Sequence, residues 1–431
     1  MNEKIVIKGG IPLKGTIDVT GAKNAAVAIL PATILARGVC VIENLPKIAD
    51  VLIIKRILAE IGAEVEFDDN GTMTVDTTNI NTSNVTMNLV KRMRASYYLL
   101  GALLSRFGEA QINLPGGCAI GERPIDQHIK GMEALGAEVK TEYGMLKAKA
   151  PDGLVGSDVY LDVVSVGATI NIMLAAVCAK GQTSIVNAAK EPHVVDIANF
   201  LVCMGAKIKG AGTDVIRITG VEKLHGCNYS IIPDQIETGT LMIAAAATRG
   251  DVIIKNVIPT HMEALSAKMV EMGISVQEGA DFIHVKCDKK PKAVKIKTMP
   301  YPGFPTDLQQ PATVLLSTAQ GTSMIVESIF ESRFKHISEI RRMGAKVNTD
   351  DRVAVVEGVE KLTGAPVRAT DLRAGAALIV AGLMADGVTE IHNIKYVDRG
   401  YDHIEDKLKK LGADIRREEV IRTEDDDLDI Y

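Results

Sequence analysis

His261–Val276 reads HMEALSAKMVEMGISV, and this stretch decides the fold. Its apolar residues recur at three- and four-residue spacing, which predicts an amphipathic helix. Gly273 suits the position just past a helix end, and a strand follows it. The last five residues match a pattern of apolar residue, glycine, small or apolar residue, any residue, then Val or Ile. That pattern occurs six times, as IGAEV, LGAEV, MGAKI, MGISV, MGAKV and LGADI, with glycines at 62, 136, 205, 273, 344 and 412. The intervals of 74, 69, 68, 71 and 68 residues are too regular for chance, so the chain repeats itself.

A second marker keeps step with the first. Helix-like apolar stretches end in Gly38, Gly108, Gly181, Gly250, Gly321 and Gly387, and alternating strands such as GVCVIEN and GDVIIKN follow. Turns such as DDNG at Asp68–Gly71, then a further strand, lead to an alanine-rich helix such as LMIAAAATRG. Each module therefore reads β-α-β-β-α over about 70 residues, beyond the period of ordinary solenoids. Six modules divide as three plus three. The expectation is two similar α/β domains joined near Tyr229–Glu237, with a cleft between like domains as the default place for a ligand.

Composition sets limits on function. Across 431 residues, 47% hydrophobic and 24% charged content supports a large packed core, and a net charge of −5 without basic runs argues against nucleic acid as partner. The start of the chain has no apolar segment of signal-peptide type, and the uncharged stretch Val163–Ala179 is too short and too polar for a membrane span, so it reads as a buried helix. The six cysteines form no CxxC pair and the eight histidines no zinc spacing, which points to a reducing cytoplasm and to no metal.

Function is expected where the repeat breaks. LPGGCAIGERPIDQH, Leu114–His128, replaces an ordinary helix entry with a glycine- and proline-rich loop able to move and to bring Cys118 and Arg123 to one ligand. A neighbouring arginine lowers a thiol's pKa, and a Gly-Gly turn is a poor place to bury a side chain. In VTGAKNAAVAILPA, Lys23 and Asn24 fall on the first turn of a helix beside unpaired N–H groups, a setting that favours an anion. Arg94, Arg373 and Arg399 stand at comparable breaks in other modules. Asp307, in YPGFPTDLQQP, suits either a helix N-cap or a general base.

GAKNA (21–25), MRAS (93–96), PGGCAIGERPID (115–126), SVGAT (165–169), PDQIETGT (233–240), FPTDLQ (304–309), FESRF (330–334), TDLRA (370–374) and DRGY (398–401) follow one another in an order that resembles the UDP-N-acetylglucosamine enolpyruvyl transferases over essentially the whole chain. The resemblance implies a pair of inside-out α/β domains of three repeated units each, spanning 22–232, with a mobile catalytic loop at 114–128, and 1–21 plus 233–431. It implies transfer of the enolpyruvyl group of phosphoenolpyruvate to the sugar 3′-hydroxyl by addition and elimination, with no cofactor. Cys118 would protonate C3 of the donor and Asp307 would take the hydroxyl proton. Lys23, Arg123 and Arg399 would hold the donor's phosphate and carboxylate, with Arg373 and Asn24 beside them. The sugar nucleotide would meet Asn24, Arg94, Arg123, Pro124, Ile125, Asp126, Gln127, Ser165, Val166, Gly167, Asp307 and Ile329. A cytoplasmic monomer or weak homo-oligomer without membrane insertion is the implied form. Val164 stands where many relatives carry proline, and Gln235 where arginine is common.

Overall fold

The computed structural model describes residues 3–85, 96–114 and 124–420. All six marker glycines have a positive φ, from 84° at Gly273 to 104° at Gly62. In the first repeat the Gly62 N–H donates to the Ala59 carbonyl and the Ala63 N–H to the Leu58 carbonyl. In the last, Gly412 donates to Lys409 and Ala413 to Leu408. These paired bonds satisfy carbonyls that the helix end would leave orphaned, and they turn the chain into the next strand. A residue with a Cβ is strained at that φ, so the repeated glycine is a geometric requirement of the corner.

Among the described residues the strands form six four-stranded sheets of one pattern. In each, a central strand pairs antiparallel on one side and parallel with a short edge strand on the other. Val39–Glu43 runs antiparallel to Met73–Asp76, with Cys40 opposite Val75, and parallel to Asn228–Ser230. Most edge strands have three residues, as at Asp158–Tyr160, Lys295–Lys297 and Pro366–Arg368. Three residues cannot display an alternation, which is why the β-α-β-β-α reading passes over them. The observed module carries this additional edge strand before its apolar helix. The sixth sheet is completed from the far end of the chain: Glu3–Lys8 lies between Val388–His392 and Asp414–Glu419, with Ile5 opposite both Ile391 and Arg417.

The chain divides into two compact units, Thr20–Gln235 with Pro300–Gly303, and the start of the chain to Val19 with Ile236–Met299 and the residues from Phe304 on. Each has its own apolar core. In the first, the inner helices are Lys23–Ala32, Tyr97–Phe107 and Val166–Ala176; in the second they are Gln235–Ala247, Gln309–Leu316 and Leu372–Met384. Amphipathic helices and sheets surround these apolar ones, so each unit is an inside-out α/β domain of three modules. Of the stretch Val163–Ala179 read as a buried helix, Val166–Ala176 is helical and buried from Ala168 on, while Val163 and Val164 are exposed. Among the described residues no helix is long and apolar enough to cross a membrane.

Small residues let the inner helices approach. A Cβ on Gly101 would lie 2.3 Å from the Asn171 carbonyl oxygen. The Gly101 N–H instead donates to Asn171 Oδ1 at 2.8 Å, and Asn171 Nδ2 meets His128 Nδ1 at 3.0 Å. This buried polar thread links three elements of an otherwise apolar core.

Candidate functional site

In the first unit, Gly21 lies so close to Asn44 that a Cβ would stand 1.8 Å from its carbonyl oxygen. The Ala22 N–H donates to the Ile232 carbonyl at 2.7 Å, and the Lys23 N–H to Asp234 Oδ2 at 2.9 Å. The expectation of unpaired donors at this helix start is thereby corrected, because a carboxylate already meets the first one. The Lys23 ammonium lies 2.9 Å from Asp50 Oδ2, with Asp50 buried in the first turn of Ala49–Glu60. An ammonium has three donors, so Lys23 can be anchored by Asp50 and still turn a proton toward an anion. Asn24 is half-buried beside it.

Two helix starts far apart in sequence also meet in this unit. His128, in Asp126–Ala134, packs on Gly167, where a Cβ would come 3.0 Å from Nε2, and its ring centroid is 5.2 Å from that of Tyr97. Burial lowers the His128 pKa to about 4, so the imidazole is neutral at pH 7. Buried Gln127 accepts the Asp162 N–H at 2.9 Å and donates to Asp126 Oδ2 at 2.9 Å and Asp162 Oδ2 at 3.1 Å. Ser165 caps the helix Val166–Ala176 by accepting the Ala168 N–H. Pro124 is exposed and Ile125 half-buried, with half-buried Val166 and Gly167 following Ser165 and exposed Val163 and Val164 preceding it. Gln127 and Ser165–Gly167 thus belong to one locality. Arg94, Cys118 and Arg123 lie outside the described residues.

In the second unit, Asp307 is not the N-cap of the following helix, which starts at Gln309 without a side-chain cap. Its carboxylate is held between two guanidinium groups, Arg333 at 2.7 Å on Oδ1, and Arg373 at 3.0 and 3.2 Å on Oδ2. Burial alone would push the carboxyl pKa up, but the charges of Arg373 and Arg333 outweigh it and hold the group well below the usual carboxylate range. Arg373 occupies the first turn of Leu372–Met384, whose N-cap Asp371 accepts the Arg373 and Ala374 N–H groups. Gln310 Nε2 bridges the Arg333 carbonyl at 3.1 Å and Asp371 Oδ2 at 3.3 Å. The guanidinium groups of Arg333 and Arg373 lie over Phe330 and Tyr401, at 5.2 and 5.5 Å from the ring centroids.

Arg333 is the residue that the sequence reading missed. It lies inside the quoted FESRF segment, yet nothing in a local pattern reveals that its side chain is only 2% exposed. Arg399 ends the turn Ile394–Arg399, and Gly375 lets that turn lie against the helix bearing Arg373, since a Cβ there would stand 2.5 Å from Val397. Half-buried Ile329 is positioned by Glu327, which accepts its N–H at 2.8 Å and also bonds the Thr306 hydroxyl at 2.9 Å, next to Asp307. The unit therefore presents an ionised carboxylate within a rigid cationic frame. Such a frame can bind an anionic substrate while the carboxylate accepts a proton. Among the described residues no group of three or more His, Cys, Asp or Glu side chains could hold a metal ion.

Residues 7–408 match the family model described as EPSP synthase (3-phosphoshikimate 1-carboxyvinyltransferase). The chain belongs to this family of enolpyruvyl, or 1-carboxyvinyl, transferases. Similar curated proteins are UDP-N-acetylglucosamine 1-carboxyvinyltransferase 2 of Clostridium acetobutylicum, 59% identical across 97% of this chain and 100% of that protein, and the Bacillus subtilis protein of the same name, 57% identical across 97% of each. Among solved structures, the enolpyruvyl transferase NikO from Streptomyces tendae matches with a TM-score of 0.87 at 28% identity, over 97% of this chain and 100% of that one. An EPSP synthase from Acinetobacter baumannii, with a TM-score of 0.76 at 19% identity over the same shares, has the same fold.

Proposed function

We propose that the protein transfers the enolpyruvyl group of phosphoenolpyruvate to the 3′-hydroxyl of UDP-N-acetylglucosamine and releases phosphate, the first committed step toward peptidoglycan precursors. The observation that carries this reading is near-full-length identity of 56–59% to proteins named for that reaction. Cys118 protonates C3 of the donor as the sugar oxygen attacks C2, and Asp307 takes the hydroxyl proton. A proton from C3 and phosphate then leave the tetrahedral intermediate, which restores the double bond in the product. Lys23, Arg123 and Arg399 hold the donor's phosphate and carboxylate, with Arg373 and Asn24 in support. Each charge-assisted contact is worth about 1.5–3 kcal/mol.

Asn24, Arg94, Arg123–Gln127, Ser165–Gly167, Asp307 and Ile329 receive the sugar nucleotide. An Asp307 held far below its usual pKa is a weak base. An anionic donor that draws Arg373 or Arg333 toward itself removes part of that restraint and raises the carboxylate's basicity as the complex assembles. The reaction needs no cofactor, and the enzyme works in the cytoplasm as a monomer or weak homo-oligomer. Phosphate release measured with phosphoenolpyruvate and either UDP-N-acetylglucosamine or shikimate 3-phosphate tests the substrate. Turnover with the first alone is expected, and turnover with the second alone overturns the reading.

A further inference from the structure

Three cysteines that the proposed reaction does not use meet on the first unit. The backbone of Cys227 accepts the Val41 N–H at 3.0 Å, immediately before the parallel pair Asn228↔Val41, so Cys227 and Cys40 lie side by side on neighbouring strands. Gly226 makes this approach possible, since a Cβ there would lie 1.8 Å from the Val39 carbonyl oxygen. Cys203 ends the helix Pro192–Cys203, and its thiol reaches the Asn228 carbonyl at 3.7 Å. The neighbouring Cys40, burial and Cys203 together push the Cys227 thiol's pKa up. Exposure falls along this row: Cys203 is exposed, Cys227 half-buried and Cys40 fully buried.

We infer that Cys203 and Cys227 form an oxidisable pair that reacts with low-molecular-weight disulfides, such as that of a cellular thiol, to give an internal disulfide. The Cys203 thiolate attacks one sulfur of the small disulfide and releases one thiol. Cys227, as thiolate, then attacks the Cys203 sulfur of the mixed disulfide and releases the second. Two protein thiols and one small disulfide thus become one protein disulfide and two small thiols. Exposure makes Cys203 the first to react, and half-buried Cys227 behind it is left for the second, intramolecular step. Cys40 is closed off from solvent and stays reduced. The new bond ties the helix end to the strand Asn228–Ser230, whose continuation Ile232–Asp234 receives the N–H groups of Ala22 and Lys23.

The test incubates the full chain with glutathione disulfide, blocks remaining thiols by alkylation, and maps peptides by mass spectrometry, which separates these residues from any reaction at Cys118. A Cys203–Cys227 linkage is expected in the parent and in Cys40→Ser. Cys227→Ser is expected to stop at a glutathione adduct on Cys203, and Cys203→Ser to lose at least tenfold in its rate of modification at this cluster. A parent that carries glutathione on Cys203 without the linkage, or that joins Cys40 to Cys227, overturns the assignment. So does a Cys40→Ser variant unable to form the linkage.

Discussion

Asp307→Asn separates chemistry from architecture at the cationic frame. The carboxylate meets Arg333 through one oxygen and Arg373 through the other. Asparagine keeps one acceptor, but its amide sets a donor against the second guanidinium, so the ion pair of half-buried Asp307 with two buried arginines is broken at a cost of about 3 kcal/mol. For a domain of this size that lowers the melting temperature by about 6–12 °C. The unfolded carboxyl titrates near 4 while the folded one stays ionised far below that. The stability from Asp307 is therefore present above about pH 4 and lost as pH falls toward the folded value, and the asparagine variant lacks this acid limb. As the base, Asp307 should be worth roughly 100- to 10,000-fold in turnover. Phosphate-release kinetics give kcat, and calorimetry gives the affinity for UDP-N-acetylglucosamine, expected to change only a few-fold. A variant that melts early yet turns over within a few-fold of the parent would refute the catalytic role and leave Asp307 as a clasp for two arginines.

Cys118→Asp should stay active and show a pH optimum shifted downward, because an aspartic acid must be protonated to donate; Cys118→Ser should lose most turnover while still binding the nucleotide sugar. A folded but inactive aspartate variant would mean that sulfur chemistry itself is required. His128 and His336 are buried with pKa values lowered to about 4, so between pH 6.5 and 4 the unfolded chain takes up protons that the folded one refuses, and stability falls on acidification. Asp196, raised by burial to about 6, acts in the opposite sense over pH 6 to 4 and offsets part of that loss. His336→Leu should shrink the loss between pH 7 and 5 by about 2 kcal/mol in urea unfolding, and an unchanged slope would exclude the histidine as its source. Gly101→Ala should destabilise the first unit by about 1–3 kcal/mol or more, since the new methyl overlaps the Asn171 backbone; a melting curve like the parent's would contradict that packing.

Sequence alone determined the repeat and the places where it breaks. Helix period, strand alternation and left-handed corners are local properties, and one glycine per corner suffices to mark them, as Gly62 through Gly412 do. The breaks in the repeat were legible for the same reason, since Gly-Gly and Pro-rich segments around Cys118 and before Asp307 interrupt a period. Tertiary structure alone decided what the segment leading to Asp307 touches. Three-residue edge strands such as Pro366–Arg368 exist only because a longer strand offers hydrogen bonds, and Glu3–Lys8 completes a sheet with strands almost 400 positions away. Arg333 shows the difference most clearly. Its burial, its bond to Asp307 and the depression of that carboxyl's pKa, which Arg373 and Arg333 produce together, come from chain segments that share no local pattern. Electrostatic energy depends on distance and solvent exposure, and neither is written in the order of residues.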